Sequence, residues 1–250
     1  MMDSSPQETT NPTEVALSSA ANRPHLADSS PWRVRFRTIY EDLRKKIILL
    51  EHPPGARLDV EALARVHAVS RSPIRTVIQR LESEGLAVTR HGVGTTVAEI
   101  DFAKVRDAML FRMHLAELIG TLAPRPANPN VAAHLEKLAE DFAKIRDSES
   151  PPAFARFDMQ LHDRKCELIG NDLLRRTYDE MYYRTVRIWF HFLPRLDWET
   201  ERDALLEDFR QTSRAIRRGD VAAVGFVTRN ALSEGLYRLR DLIAEAQGSP

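Results

Sequence analysis

Residues 68–88 read AVSRSPIRTVIQRLESEGLAV. Within them Ile74, Val77, Ile78 and Leu81 fall at i, i+3, i+4 and i+7, the spacing of a helix that buries one face. Ser72, Arg75, Thr76 and Gln79 point the other way, with Arg71 at the edge near the start. Ser70 or Ser72 can cap such a helix, and Pro73 is tolerated in a first turn. Gly85 ends it, where a left-handed residue is favoured. The head of this helix therefore carries positive charge and hydrogen-bond donors aimed away from its own core.

Upstream, Phe36, Ile39, Leu43 and Ile47 form a helical stripe, with Arg44, Lys45 and Lys46 expected on the wet side. EHPPGARL breaks that helix, and DVEALARVHA predicts a short one. Downstream, the β-prone runs Leu86–Thr89 and Thr95–Ala98 flank a glycine-containing turn at Arg90–Gly94, which predicts a hairpin. Three helices followed by a hairpin describe a winged helix-turn-helix. Its recognition helix, here the one quoted, enters the DNA major groove by its N-terminal residues. Charge agrees: Trp32–Ala98 carries 12 Lys/Arg and 7 Asp/Glu, a net +5, although the whole chain sums to zero.

From Asp101 onward no strand signal occurs. Helical stripes recur instead, among them Val105, Met109, Leu115, Leu118 and Leu122; Phe154, Phe157, Leu161 and Leu168; and Leu205, Phe209, Thr212 and Ile216. The fold expected is mainly α: a winged helix-turn-helix at 32–99, then an all-α bundle of about six helices at 100–247. Residues 1–31 are rich in Ser, Thr, Pro, Asn and Ala and predict a disordered tail, without the basic and apolar regions of a secretory signal. The single cysteine, Cys166, allows no internal disulfide, and no apolar run reaches spanning length. A cytoplasmic protein without a membrane partner is expected.

The stretches PGARL, LARVHAVSRSPIRTVIQRLESEGL and HGVGTTV together resemble the GntR family of bacterial transcription regulators. FDMQLHDRKCELIGNDLL, AIRRGD and a long final helix resemble the FCD effector domain of its FadR subfamily. The resemblance runs over roughly residues 32 to 245. It implies that Ser70, Arg71, Ser72 and Arg75 contact DNA, with His91 and Gly92 at the wing tip. It departs at Ala68, where a glycine is usual, and at RTVI, which replaces REAL. FCD domains often hold a divalent metal on one Asp and three His. Asp158 and His162 match the first two positions, at i and i+4, but the other two fall on Phe209 and Ala231, which cannot ligate. No divalent metal and no required cofactor is therefore expected. Asp158 and His162 are expected to pair with each other or to bind an effector, and Arg112 can hold a carboxylate in bidentate fashion or form a surface salt bridge.

These readings converge on a homodimer that binds double-stranded, pseudo-palindromic operator DNA and responds to a small-molecule effector, an organic acid, in the bundle. Two alternatives compete. A winged helix that binds only protein has no need of Arg71 and Arg75 beside a basic first helix. A metal-dependent bundle enzyme needs Glu-x-x-His on facing helices, and none of the eight histidines has Glu three positions before it. No phosphate-binding glycine motif occurs, and Cys166 stands in no motif.

Overall fold

The computed structural model describes residues 30–145 and 150–248. The tail expected at 1–31 lies outside them apart from its last two residues. The chain divides after Thr38. Before that point lie the first turns of α1 (Pro31–Ile48), where Trp32 stacks on Phe36 with ring centroids 5.6 Å apart.

From Ile39 onward the rest of α1 buries Ile39, Leu43, Ile47 and Ile48. Two short helices follow, α2 (Val60–Val66) and α3 (Arg71–Ser83). The Asp59 carboxylate caps α2 by accepting from the amides of Glu61 and Ala62. α3 buries Ile74, Val77, Ile78 and Leu81, the predicted stripe. It ends in a Schellman turn: Leu86 N–H donates to Leu81 O and Gly85 N–H to Glu82 O, with Gly85 at φ +71°.

Strands β1 (Ala87–Arg90) and β2 (Gly94–Val97) pair antiparallel, with Ala87 opposite Val97 and Arg90 opposite Gly94. The EHPPGARL break does more than interrupt α1. Gly55 N–H donates to Val97 O, Val97 N–H to Ala56 O and Leu58 N–H to Thr95 O, so residues 55–58 line the free edge of β2. That edge is thereby covered rather than left to pair elsewhere.

Apart from an isolated bridge between Pro124 and Ile169, the described elements of the second half are helices: α4 (Phe102–Glu117), α5 (Pro129–Phe142), α6 (Ser150–Cys166), α7 (Asp172–Phe192), α8 (Trp198–Arg217) and α9 (Val221–Gly248). α6 begins at Ser150, so Pro151 and Pro152 lie in its first turn, where proline is tolerated. α9 packs on α4 at very close range. A Cβ on Gly120 would meet the Ala222 backbone at 2.3 Å, and one on Gly225 would meet Ala116 O at 2.6 Å. Val105, Met109, Ile188, Phe192, Leu239 and Ile243 form the core between α4, α7 and α9. One stripe is corrected here. α4 stops at Glu117, so Leu118 and Leu122 leave the helical register and are 38% and 41% exposed, while Met113, Ala116 and Ile119 are buried. No helix among the described residues is long and apolar enough to cross a membrane.

Candidate functional site

The head of α3 is open. Ser70, Arg71, Ser72 and Arg75 are all exposed. Ser70 stands at the N-cap, but its hydroxyl caps nothing, which leaves it available to an outside acceptor. Arg71 Nη2 lies 2.9 Å from Glu61 Oε1 on α2, an exposed pair of small energetic weight. His91 and Gly92 are exposed at the hairpin tip, and Gly92 adopts φ +77°.

Arg44 does not face water as its place on the α1 wheel predicted. Its guanidinium lies 3.7 Å from the centroid of the Tyr183 ring, and Nη1 donates to Asp179 Oδ2 at 2.9 Å. The reason is tertiary: α7 covers that side of α1, and a guanidinium satisfied by a carboxylate and a ring face tolerates burial.

Within the bundle, five helices line a partly open cavity of about 170 Å³. Arg112 from α4 is buried there, not in a surface salt bridge. Its Nη1 donates to Thr185 Oγ1 at 3.0 Å, its guanidinium carbon lies 4.9 Å from the Tyr182 ring centroid, and its Nε has no partner among the described residues. Asp158 from α6 accepts from Tyr182 Oη at 2.7 Å, and burial raises its carboxyl above the ordinary range. Lys165, two turns further along α6, donates to both Asp208 oxygens of α8 at 2.7 and 2.8 Å. The lining thus combines a buried cation with unspent donors, a hydroxyl pair and apolar walls, a setting suited to a small molecule with an acidic end.

Asp158 and His162 both line the cavity but do not pair with each other. The His162 ring lies flat against Tyr182, centroids 3.7 Å apart and planes 7° apart. Its Nε2 turns to Asp179 Oδ1 at 3.1 Å and to Cys166 Sγ at 3.3 Å. Burial pushes the imidazole down to about 4, so it is neutral at pH 7. The divalent metal of FCD domains therefore does not fit the Asp158 position: among the described residues the one imidazole that lines the cavity is turned to other partners, and Asp158 Oδ2 is held by a phenol. Phe209 is fully buried, as its stripe predicted, yet it does not line the cavity, and Ala231, which does, has no donor.

α7 has two working faces. Tyr182 and Thr185 face the cavity. Arg184 donates from Nε to Glu84 O at 2.8 Å and from Nη2 to Ser83 O at 3.3 Å, gripping the C-terminal end of α3. Such a cation also suits the negative end of the helix dipole. Arg187 donates to Ala98 O, just past β2. Glu84 is held as well, its Oε1 accepting from Tyr40 Oη at 2.6 Å and Arg80 Nε at 2.7 Å.

Sequence patterning missed Lys165, Tyr182 and Thr185. Lys165 had a signal, because Asp158, His162 and Lys165 fall at i, i+4 and i+7 on one face of α6. Thr185 shares a helical stripe with Leu174, Tyr178 and Met181, whereas for Tyr182, Arg184 and Arg187 there was none, since their partners are distant in sequence.

Bacterial regulatory proteins of the gntR family match over residues 36–97, and the FCD domain over residues 107–234. An HTH-type transcriptional regulator of an unstable DNA locus in Streptomyces ambofaciens is 34% identical over 142 residues, 56% of this chain and 58% of that protein. The chain thus matches somewhat less than two thirds of that relative's length. The HTH-type regulator YdhC of Bacillus subtilis is 26% identical over 157 residues, 62% of this chain and 69% of its own. Among solved structures, E. coli McbR/YncC shares the fold with a TM-score of 0.67 at 17% identity, over 86% of this chain and 99% of that one.

Proposed function

This chain belongs to the gntR family of bacterial regulatory proteins, in the branch that carries an FCD domain, and from that premise we propose a ligand-responsive regulator that binds a pseudo-palindromic operator as a homodimer. DNA binding is assigned to residues 32–99 and effector binding and dimerisation to 100–247. Two copies set two α3 helices in successive major grooves, each offering Ser70, Arg71, Ser72 and Arg75 to phosphates and base edges, with His91 and Gly92 of the wing beside the backbone. Phe111 on α4 and Phe226 on α9, 48% and 52% exposed, supply apolar surface for the second copy.

The effector is a small organic acid, with Arg112 as its carboxylate anchor and Asp158 and His162 in the surrounding wall. The observation that carries this reading is α7. The carboxylate that engages Arg112 competes with Thr185 Oγ1, on the same helix whose Arg184 and Arg187 hold α3 and the end of the wing. Only a ligand that binds two poses of α7 unequally can change operator affinity. The test is operator titration at fixed salt, with and without each small carboxylic acid that raises the protein's melting temperature. An acid that stabilises the protein should change operator affinity several-fold. Stabilisation with no change in affinity for every such acid overturns the ligand-responsive reading. Sedimentation with and without operator tests the dimer, and a 1:1 monomer on DNA overturns it.

A further inference from the structure

The geometry points to a second site on the Nε2 edge of His162, a residue that also lines the cavity: we infer that Cys166, His162 and Asp179 bind a thiophilic divalent cation of the zinc class. His162 and Cys166 lie one turn apart at the end of α6, and Asp179 comes from α7. Their three ligand atoms lie within 4.8 Å of one another, with Nε2 3.1 Å from Oδ1 and 3.3 Å from Sγ. Bond lengths of roughly 2.0–2.3 Å to nitrogen, oxygen and sulfur set tetrahedral ligands about 3.3–3.6 Å apart. A cation therefore fits the two Nε2 spacings with shifts of a few tenths of an ångström, and draws Sγ and Oδ1, which lie within 4.8 Å, closer together.

The donor set is the second argument. A neutral imidazole, a thiol and a carboxylate combine borderline and soft donors, which select zinc-like ions over magnesium or calcium. Nε2 ligates with the ring's single proton on Nδ1, a buried nitrogen that has no other partner among the described residues. Cation uptake by the Cys166 thiol forms the metal–sulfur bond and releases the thiol's one proton to solvent. Access is the third. His162 is buried, but Cys166 is half-buried and the Asp179 side chain is 32% exposed, which leaves a path for the ion and room for a water as fourth ligand.

This site is separate from the cavity position of Asp158. The Tyr182 ring lies over the imidazole, its hydroxyl holds Asp158, and Nε2 faces Asp179. Arg44 occupies the other Asp179 oxygen, Oδ2, leaving Oδ1 to the cation. Patterning on Asp158, Phe209 and Ala231 could not find the set, because Asp179 joins it only through the packing of α6 on α7.

The test uses the full-length chain without an affinity tag, reduced, stripped with chelator and titrated with Co²⁺ in the absence of air. The expected result is a thiolate-to-cobalt charge-transfer band with the visible bands of tetrahedral cobalt, both removed by one equivalent of Zn²⁺, and release of one proton per ion. Cys166→Ser and Cys166→Ala should each abolish the charge-transfer band. Asp179→Asn should weaken binding by no less than the roughly tenfold that losing an outer partner costs. Asp158→Asn should leave the spectrum unchanged, and far-ultraviolet circular dichroism confirms that each variant is folded. Absence of the band in the wild type overturns the proposal. So does binding that survives both Cys166 variants but is lost in Asp158→Asn, which would put the ion in the cavity. None of these readouts involves DNA, so failure here is distinguishable from failure of the regulator reading.

Discussion

Tyr182 and Tyr183, neighbours on α7, divide the molecule between them. The Tyr182 hydroxyl donates to Asp158 in the cavity at 2.7 Å, while the Tyr183 ring carries the Arg44 guanidinium of α1 at 3.7 Å. The two rings meet edge to face, centroids 4.9 Å apart. Displacement of one ring is therefore felt by the other, because packed aromatic cores do not deform smoothly.

If α7 transmits the effector signal, the double variant Arg184→Ala, Arg187→Ala separates binding from response. Acid-induced thermal stabilisation should persist, while the acid-dependent change in operator affinity falls toward none. Couplings of this kind are about 1–3 kcal/mol, a roughly 5- to 150-fold effect on affinity. Melting curves and anisotropy titrations on the same samples read both quantities. A full response in the double variant would remove α7 as the transmitter.

Arg112→Met tests the anchor. The side chain keeps an unbranched apolar stem and loses the guanidinium, so acids should bind more weakly by about 1.5–3 kcal/mol, the worth of a hydrogen bond to a charged group. Calorimetric titration with an acid that stabilises the wild type measures this. Unchanged affinity would show that the carboxylate is held elsewhere, with Lys165 the next candidate.

For DNA, Arg75→Ala and Arg71→Ala should each lower the ratio of operator to scrambled-DNA affinity. A direct base contact is worth roughly 1–3 kcal/mol, and a two-fold dimer loses it twice. Parallel titrations on both duplexes at one salt concentration provide the ratio. If neither variant changes it, α3 is not the reading helix.

Ala68 lies in the turn between α2 and α3 at φ +50°. A left-handed conformation costs a side-chain-bearing residue roughly 1–2 kcal/mol, and glycine's freer unfolded chain returns about 0.4–1 of that. Ala68→Gly should therefore raise stability by about 1 kcal/mol or somewhat less, seen as a higher urea midpoint at constant slope. A lower midpoint would mean that the turn is not strained.

What sequence patterning could read was local. Gly85 marks the end of α3 because a Schellman turn needs only its own six residues, and the hairpin was visible for the same reason. The α6 positions Asp158 and His162 were located on the correct helix face. What could not be read depended on partners far along the chain. Arg44 looked solvent-facing until α7 supplied Asp179 and Tyr183, separated from it by well over a hundred residues. Phe209 shows the limit within one helix: its stripe correctly gives burial, but periodicity does not say which layer of the bundle it joins, and it is Asp208 that lines the cavity. His162 was read as Asp158's companion because they share a face, whereas ring stacking on Tyr182 decides where its nitrogens point.

The ion pair between Arg71 and Glu61 gives the free protein a built-in counterion. On the proposed reading, Arg71 meets a phosphate or base only by leaving that carboxylate, so this contact exchanges one anionic partner for another. Salt weakens protein–DNA binding through the number of cations that neutralised phosphates set free. Glu61, left unpaired beside the duplex, recruits a cation in their place. The dependence of operator affinity on salt should then be shallower than the count of contacting arginines implies, and steeper once Glu61 is made neutral. The carboxylate on α2 therefore sets how far the protein's grip on DNA follows the ionic strength of its surroundings.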